Sequence, residues 1–407
     1  MRFEPGEDFA RRLDAEDPLR ALREQFHFPE ARPGVPAVYL TGHSLGLQPK
    51  KAKDYVAREL AEWARLGVRG HHEARDPWVP YHELLTEPMA RIVGALPSEI
   101  VVMNSVSVNL HLMLVSFYRP TPARHRVLIE AGAFPSDRYA VASQIRLHGH
   151  DPKEALLEIG PRPGEESVRP EDLLALIEKE GPGLALVLLG NVNYLTGQAF
   201  DTAAVTAAAH RQGCAAGFDL AHGAGNLALA LHDWDVDFAV WCGERHHRDA
   251  TLPRLAGWWG HDKKTRWAMP QDFDPIPGAE AWQLSNPPIL QLAALRASME
   301  LFDAATMPAL RKKGEALTGY LEFLLGRLPE GVCRQVTPRE PAQRGSQLSL
   351  RVREKKDALL ARLQAQGIVC DVREPDVVRA APVPLCTRFE DVQRFAAALD
   401  SNQPAAR

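Results

Sequence analysis

Cysteine is scarce in this chain. The five residues (Cys214, Cys242, Cys333, Cys370 and Cys386) are odd in number and form no CxxC pair, which argues against a disulfide framework and against a structural zinc site. Reduced thiols in a cytoplasmic protein are the expectation. HExxH is absent, and His71-His72 and His246-His247 are adjacent pairs whose side chains diverge on a helix or a strand, so no metal is expected. No apolar run approaches the ~20 residues that a membrane helix needs. The opening MRFEPGEDFARRLDAEDPL is charged throughout and lacks the apolar core of a signal peptide. A strong charge balance is missing too. With 48 Lys+Arg against 52 Asp+Glu the net charge is −4, which favours neither nucleic acid nor an anionic membrane as partner. Internal repeats and low-complexity tracts are absent.

What is present is an ordinary globular composition, 45% hydrophobic and 25% charged over 407 residues, enough for one large and one smaller domain. Strand and helix patterns alternate through the middle. Strands are expected at 99–103, 126–130, 184–189, 214–220 and 235–241, with helices through 109–117, 136–147 and 201–212 between them. The run LALVLL at 184–189 is apolar at every position, as in a strand covered on both faces. The alternation predicts an α/β fold with a mostly parallel sheet, whose ligand lies beyond the carboxyl ends of the strands. After about residue 290 the pattern becomes α+β, with helices over 288–303 and 307–328, the strand SQLSLRV, a helix over 354–367, the strands IVCDVRE and VVRAAPV, and a last helix over 389–399. The boundaries read as an N-terminal segment 1–70 packing with the small domain, a large domain 71–290, and a small C-terminal domain 291–407.

Three strand ends carry polar residues. In Gly217-Phe218-Asp219-Leu220-Ala221-His222 an aspartate closes an apolar strand. Such a carboxylate can pair with the pyridine nitrogen of pyridoxal 5′-phosphate (PLP), keeping the ring protonated as an electron sink; it can equally cap a following helix. In Ala133-Phe134-Pro135-Ser136-Asp137 the helix start offers free N–H groups and a hydroxyl to a phosphate, and Phe134 can stack on a ring, although Ser136 or Asp137 can also serve only as a cap. Asn104-Ser105-Val106-Ser107-Val108-Asn109 follows the same logic. Arg379, amid apolar residues, suits a substrate carboxylate or a structural ion pair with Glu374 or Asp376.

With these segments on the page, the chain resembles the kynureninase family over nearly its whole length. The matching stretches are GHSLGLQPK (42–50), EWARLGVRGHHEARDPW (62–78), VNLHLMLVSFYRP (108–120), FPSDRYAVASQ (134–144), NVNYLTGQAFD (191–201), GFDLAH (217–222), LAGWWGHD (255–262), WQLSNPPIL (282–290) and REPDVVRAAPVPL (373–385). The resemblance implies the aspartate-aminotransferase-like fold of PLP-dependent transferases, a homodimer with sites at its interface, and hydrolysis of L-kynurenine (or 3-hydroxykynurenine) to anthranilate (or 3-hydroxyanthranilate) and L-alanine, in tryptophan catabolism and NAD biosynthesis. Matched motif by motif, it implies that Val106 and Ser107 lie at the PLP phosphate. Phe134 stacks on the ring, with Pro135, Ser136 and Asp137 beside it. Asp219 pairs with the ring nitrogen, and His222 lies near the cofactor. Trp258 and Asn286 reach the cofactor from the second subunit. His71, Ser285 and Asn286 face the aryl ketone, and Arg379 clamps the substrate carboxylate. Three positions depart from the family's pattern: His43 stands where GNSLG has asparagine, Gly132 where asparagine precedes Ala133, and Cys386 where a tyrosine follows VAPVPL.

The largest departure follows Trp241-Cys242. The family continues there with Ser-Tyr-Lys-Tyr-Leu-Asn, whose lysine forms the Schiff base with PLP, and then an apolar strand. Here the chain runs into Gly243-Glu244-Arg245-His246-His247, so no Schiff-base lysine is found. Arg245 stands third after Cys242, but its guanidinium stays protonated and is a poor nucleophile. Lys263 and Lys264 match ordinary positions further on. One sheet strand is therefore expected to be deleted. Buried strand groups left unpaired cost ~1–3 kcal/mol each, so the sheet must close up, recruit another segment, or fail. PLP is then expected to be held non-covalently. The alternative to an active hydrolase is a catalytically impaired pseudoenzyme or truncated variant that binds PLP, a ligand or a partner subunit.

Overall fold

A computed structural model of the chain describes residues 2–241, the backbone of 244–246, and 252–400. The chain forms two compact units. The larger comprises Lys53–Tyr194 and Phe200–Glu300; the smaller takes the chain up to Ala52, Leu195–Ala199, and the chain from Leu301 onward. The divisions thus fall after Ala52 and Glu300 rather than at 70 and 290. Asp76 gives the reason. Its carboxylate accepts from Arg58 (2.8 Å) and from Arg296 (2.7 Å), tying both flanking stretches to the larger unit. Buried Glu59 ties in the first of these stretches as well, accepting from Trp78 Nε1 (3.0 Å) and the Tyr81 hydroxyl (3.2 Å).

The larger unit is built on a seven-stranded sheet. Its strands are β1 (Ile100–Val101), β2 (Arg126–Glu130), β3 (Leu156–Ile159), β4 (Leu184–Gly190), β5 (Ala215–Asp219), β6 (Phe238–Val240) and β7 (Glu244–His246), in the spatial order β1-β7-β6-β5-β4-β2-β3. Strands β3, β2, β4, β5 and β6 run parallel. Helices α1 (Val106–Phe117), α2 (Pro135–Leu147), α3 (Pro170–Glu180) and α4 (Thr202–Arg211) connect them. Prolines at the first positions of α2 and α3 pre-set the helical φ where no N–H is needed. The Asp201 carboxylate caps α4 by accepting from the Ala204 N–H (3.0 Å). Leu186 and Leu188 of β4 pack with Val127, Ile129, Phe238 and Val240 against Leu110, Met113 and Leu114 of α1. Edge strand β3, absent from the sequence reading, has the half-exposed pattern expected at an edge.

The expected loss of a sheet strand is overturned. β7 lies antiparallel between β6 and β1, pairing Glu244 with Val240 and Val101, Arg245 with Ala239 and Ile100, and His246 with Phe238. The segment is polar, yet ladder bonds come from the backbone, which every non-proline residue supplies. The unpaired edges of β6 and β1 recruit the nearest chain, and three residues, 241–243, separate β6 from β7.

The smaller unit holds an antiparallel sheet in the order β8 (Cys333–Gln335), β9 (Leu348–Val352), β11 (Val377–Ala380), β10 (Asp371–Arg373). Phe9, Ala10 and Leu13 from the N-terminal segment share its core with Leu348, Leu350, Val378 and Phe395.

Gly217 shows how tightly β5 is set against β6. A Cβ there would come within 2.1–2.5 Å of the Phe238 ring. Gly217→Ala is expected to lower stability by about 1–3 kcal/mol through overpacking, measured as an earlier urea midpoint at unchanged slope. An unshifted midpoint would mean that the two strands have room to part.

Candidate active site

The carboxyl ends of three neighbouring strands carry the site. Glu130 ends β2, Gly190 ends β4 and Asp219 ends β5. Gly190 and Asp219 are in register, and the Gly190 N–H donates to the Glu130 carboxylate (2.9 Å). Beyond these ends opens a cavity of about 170 Å³ lined by Val106, Ser107, Phe134, Ser136, Asp137 and His222, with Asp219 and Glu130. The polar strand ends singled out in the sequence therefore converge. Pro135 starts α2 but does not line the cavity.

Asp219 is buried and accepts from the Ala221 N–H (2.6 Å). Residues 221–226 form turns rather than a helix, so the helix-capping alternative does not hold. Asp137 in the first turn of α2 is also buried and shares a hydrogen bond with Asp219. Burial raises both carboxyls, and for Asp137 the charges of Asp219 and Glu130 add to it. Two carboxyls in this arrangement hold a proton between them at neutral pH. Burial pushes Glu130 up to about 7, against the opposing Gly190 N–H. Three acids therefore crowd the cavity floor, and among the described residues no lysine or arginine lines it. A protonated ring nitrogen is the kind of group that this floor lacks. Phe134 is half exposed and packs edge-to-face on Tyr194 (5.3 Å), leaving ring surface for a planar ligand. The turn into α1 is held by Asn109, whose Nδ2 donates to the Met103 carbonyl (3.1 Å) while its Oδ1 accepts from Asn104 (3.1 Å). That places Val106 and Ser107 at the first turn of the helix, suited to an anion.

Glu130, Val192 and Tyr194 also line the cavity and were missed. Glu130 had a usable signal: like Asp219, it is an acid closing an apolar strand.

Other expected site residues lie elsewhere. His71 lines a second cavity of about 330 Å³ with His72, His82, Glu83, Lys263 and Trp267. Trp258 joins this group through Trp267 (5.2 Å), which packs on His72 (5.8 Å). Ser285 and Asn286 are exposed and line neither cavity. Arg379 is in the smaller unit. It is buried and bonded through two nitrogens to Asp371, its partner across β10 and β11. The ion pair expected with Glu374 or Asp376 is corrected by this register, since Asp376 is taken by Arg351 and Glu374 by Lys356. His43 Nε2 stands 3.4 Å from the same Asp371. Burial works to raise Asp371, and the His43 and Arg379 contacts outweigh it, leaving this carboxyl below the usual range.

Lys263 cannot supply a ready amine. Its ammonium sits 2.6 Å from Glu280 and 2.8 Å from Glu83. Burial alone would lower its pKa, but hydrogen bonds to the two carboxylates raise it, so the proton is held. The same ammonium occupies the place between Glu83 and Glu280 that a cation bound with His82 would take; their ligand atoms lie within 4.8 Å of one another.

A kynureninase from Myxococcus xanthus is 61% identical over 98% of this chain and 98% of its own. The chain belongs to the kynureninase family. The kynureninase of Koribacter versatilis is 55% identical, covering 97% of both chains, and the family described as "Kynureninase C-terminal domain" matches residues 310–399. Nothing in these comparisons supports a non-catalytic role. Among solved structures, a mutant of C-DES, a cystine C-S lyase, with glycine covalently linked to its PLP cofactor has a TM-score of 0.76 at 18% identity, covering 93% of this chain and 98% of that one. The Escherichia coli cysteine desulfurase CsdA has a TM-score of 0.73 at 16% identity, covering 93% and 97%. These likenesses establish the fold of the chain, that of PLP-dependent enzymes such as these. The kynureninase motif after Trp241 remains the exception. Every lysine of the chain lies among the described residues, and none lines the cavity.

Proposed function

We propose that the chain carries out the kynureninase reaction, hydrolysing L-kynurenine or 3-hydroxykynurenine to anthranilate or 3-hydroxyanthranilate and L-alanine, with PLP in the cavity of the larger unit, its cofactor-binding domain. The observation that carries this is the acid floor: buried Asp219 and Asp137, with Glu130 behind them, stand under an open aromatic face, and among the described residues no lysine or arginine lines their cavity. When bound, PLP supplies an electron sink for carbanion chemistry next to the substrate's amine. The residues present fit it. Asp219 holds the proton of the ring nitrogen, and Phe134 covers the ring. The first turns of α1 and α2, with Ser107 and Ser136, hold the phosphate, and His222 stands beside them. Arg379, already paired with Asp371, receives the substrate carboxylate as a bidentate donor.

His71, Trp258, Ser285 and Asn286 act as a group in a homodimer. What supports this is exposure: Trp258 (39%) and Trp267 (49%) pack on each other and present apolar surface, and Trp267 lines the cavity of His71, the kind of patch that marks a protein interface. A cytoplasmic location fits the free thiols of Cys214, Cys333, Cys370 and Cys386. Among the described residues no helix is long and apolar enough to cross a membrane.

The test is a fluorescence assay for anthranilate, with L-alanine measured in parallel, on the purified chain given PLP and L-kynurenine. Equal amounts of both products, dependent on PLP, are expected. Absence of both, with and without an added primary amine, would refute the reading.

A further inference from the structure

We propose that this site takes its carbonyl-reactive amine from solution, so that a small primary amine acts as a co-reactant that the chain itself does not supply. The inference rests on the PLP reading above and goes beyond it. Schiff-base chemistry with a carbonyl cofactor requires a primary amine that can lose its proton. The larger unit has five lysines to offer: Lys53, Lys153, Lys179, Lys263 and Lys264. None lines the cavity, and Lys263 is held as an ammonium between Glu83 and Glu280. The nucleophile-bearing residues that do line it are Ser107, Ser136, Tyr194 and His222, which offer hydroxyls and an imidazole but no primary amine.

The backbone explains why the chain does not correct this locally. β6 ends at Val240 and β7 returns from Glu244 in direct register with it. Only Trp241, Cys242 and Gly243 lie between them in sequence, and none of the three carries an amine.

The chemistry balances without a protein amine. A free amine R–NH2 adds to the aldehyde carbon, a C=N bond forms, and one water leaves. The substrate's α-amine then attacks the same carbon and displaces R–NH2, which returns to solution unchanged. Exchange at a C=N bond is easier than condensation at an aldehyde, so the small amine accelerates entry of the substrate and is regenerated.

The test uses the full chain loaded with PLP and titrated with ethylamine, with trimethylamine as a control of similar basicity that cannot form a C=N bond. Three readouts are taken. In the absorbance spectrum, ethylamine but not trimethylamine is expected to produce a saturable shift of the bound chromophore. After borohydride reduction, mass spectrometry is expected to find the chain mass unchanged and the pyridoxyl group on ethylamine. Anthranilate release is expected to rise on the order of 10-fold or more with ethylamine, below the ~10²–10⁴-fold of a positioned side chain because the amine must come from solution. A pyridoxyl group fixed to any lysine of the chain would overturn the proposal, and so would measurable anthranilate release that is equal with and without ethylamine. An ethylamine-dependent spectral shift with no product from kynurenine would leave this inference standing and sink the kynureninase reading instead.

Discussion

Asp219→Asn is expected to weaken PLP binding on the order of 100-fold, the scale for removing one charge from a buried, hydrogen-bonded pair. The substitution keeps volume, and its side-chain oxygen can still accept from the Ala221 N–H, which Asp219 now bonds at 2.6 Å. What it loses is the negative charge that holds a proton on the ring nitrogen. Asp137→Asn is expected to cost far less. Asp137 is raised by burial and by the charges of Asp219 and Glu130, which favours its neutral form, and a neutral acid already resembles an amide. Titration of each variant with PLP, followed by protein fluorescence, checks both. Equal losses in the two variants would mean that the ring nitrogen is shared between the acids, and an unchanged affinity in Asp219→Asn would mean that the ring binds another group.

Glu130→Gln is expected to remove much of the cofactor-free protein's loss of stability between pH 5 and 8. Burial holds the Glu130 carboxyl up at about 7, against an ordinary value of 4.5. Below pH 4.5 the acid is protonated both folded and unfolded, and its side chain costs the fold no charge. As pH rises towards 7 the unfolded chain releases the proton while the folded chain retains it, so stability falls through that window. A difference of 7 minus 4.5, about 2.5 units, corresponds to roughly 3 kcal/mol at most. Glutamine does not titrate and keeps an oxygen for the Gly190 N–H. The variant should therefore be more stable than the parent at pH 8 and nearly equal to it at pH 5, read from urea unfolding at the two values. Part of the slope should persist, because burial also raises Asp137 and Asp219. A parent protein with no pH slope would show that water reaches Glu130. Bound PLP should flatten the parent's profile as well, since its cationic ring stabilises the ionised acids of the floor.

How much of this was visible before the structure depends on how local each signal is. The strand LALVLL announced itself because a strand covered on both faces has no polar position to spare. Asp219 could be picked out because an acid directly after an apolar run must emerge where that strand ends. Glu130 obeys the same rule, but its role depends on the Gly190 N–H and on Asp137 and Asp219, which lie far off in sequence. The partner of Arg379 could not be read at all. Asp371, Glu374 and Asp376 are all near in sequence, and only the antiparallel register of β10 and β11 sets Asp371 opposite.

The stretch after Trp241 divides the two kinds of information most clearly. Residue order alone determined that no lysine stands directly after this strand, and the tertiary structure showed that no lysine from elsewhere lines the cavity. Motifs spread along the chain likewise identified the family and the acids, phosphate-binding turns and aromatic ring that belong to it. The tertiary structure decided what covers the gap, because ladder hydrogen bonds come from the backbone and accept Glu-Arg-His as readily as an apolar strand. It also decided that Asp219, Asp137 and Glu130 meet on one floor and alter one another's protonation, since that coupling depends on distances between segments far apart in the chain.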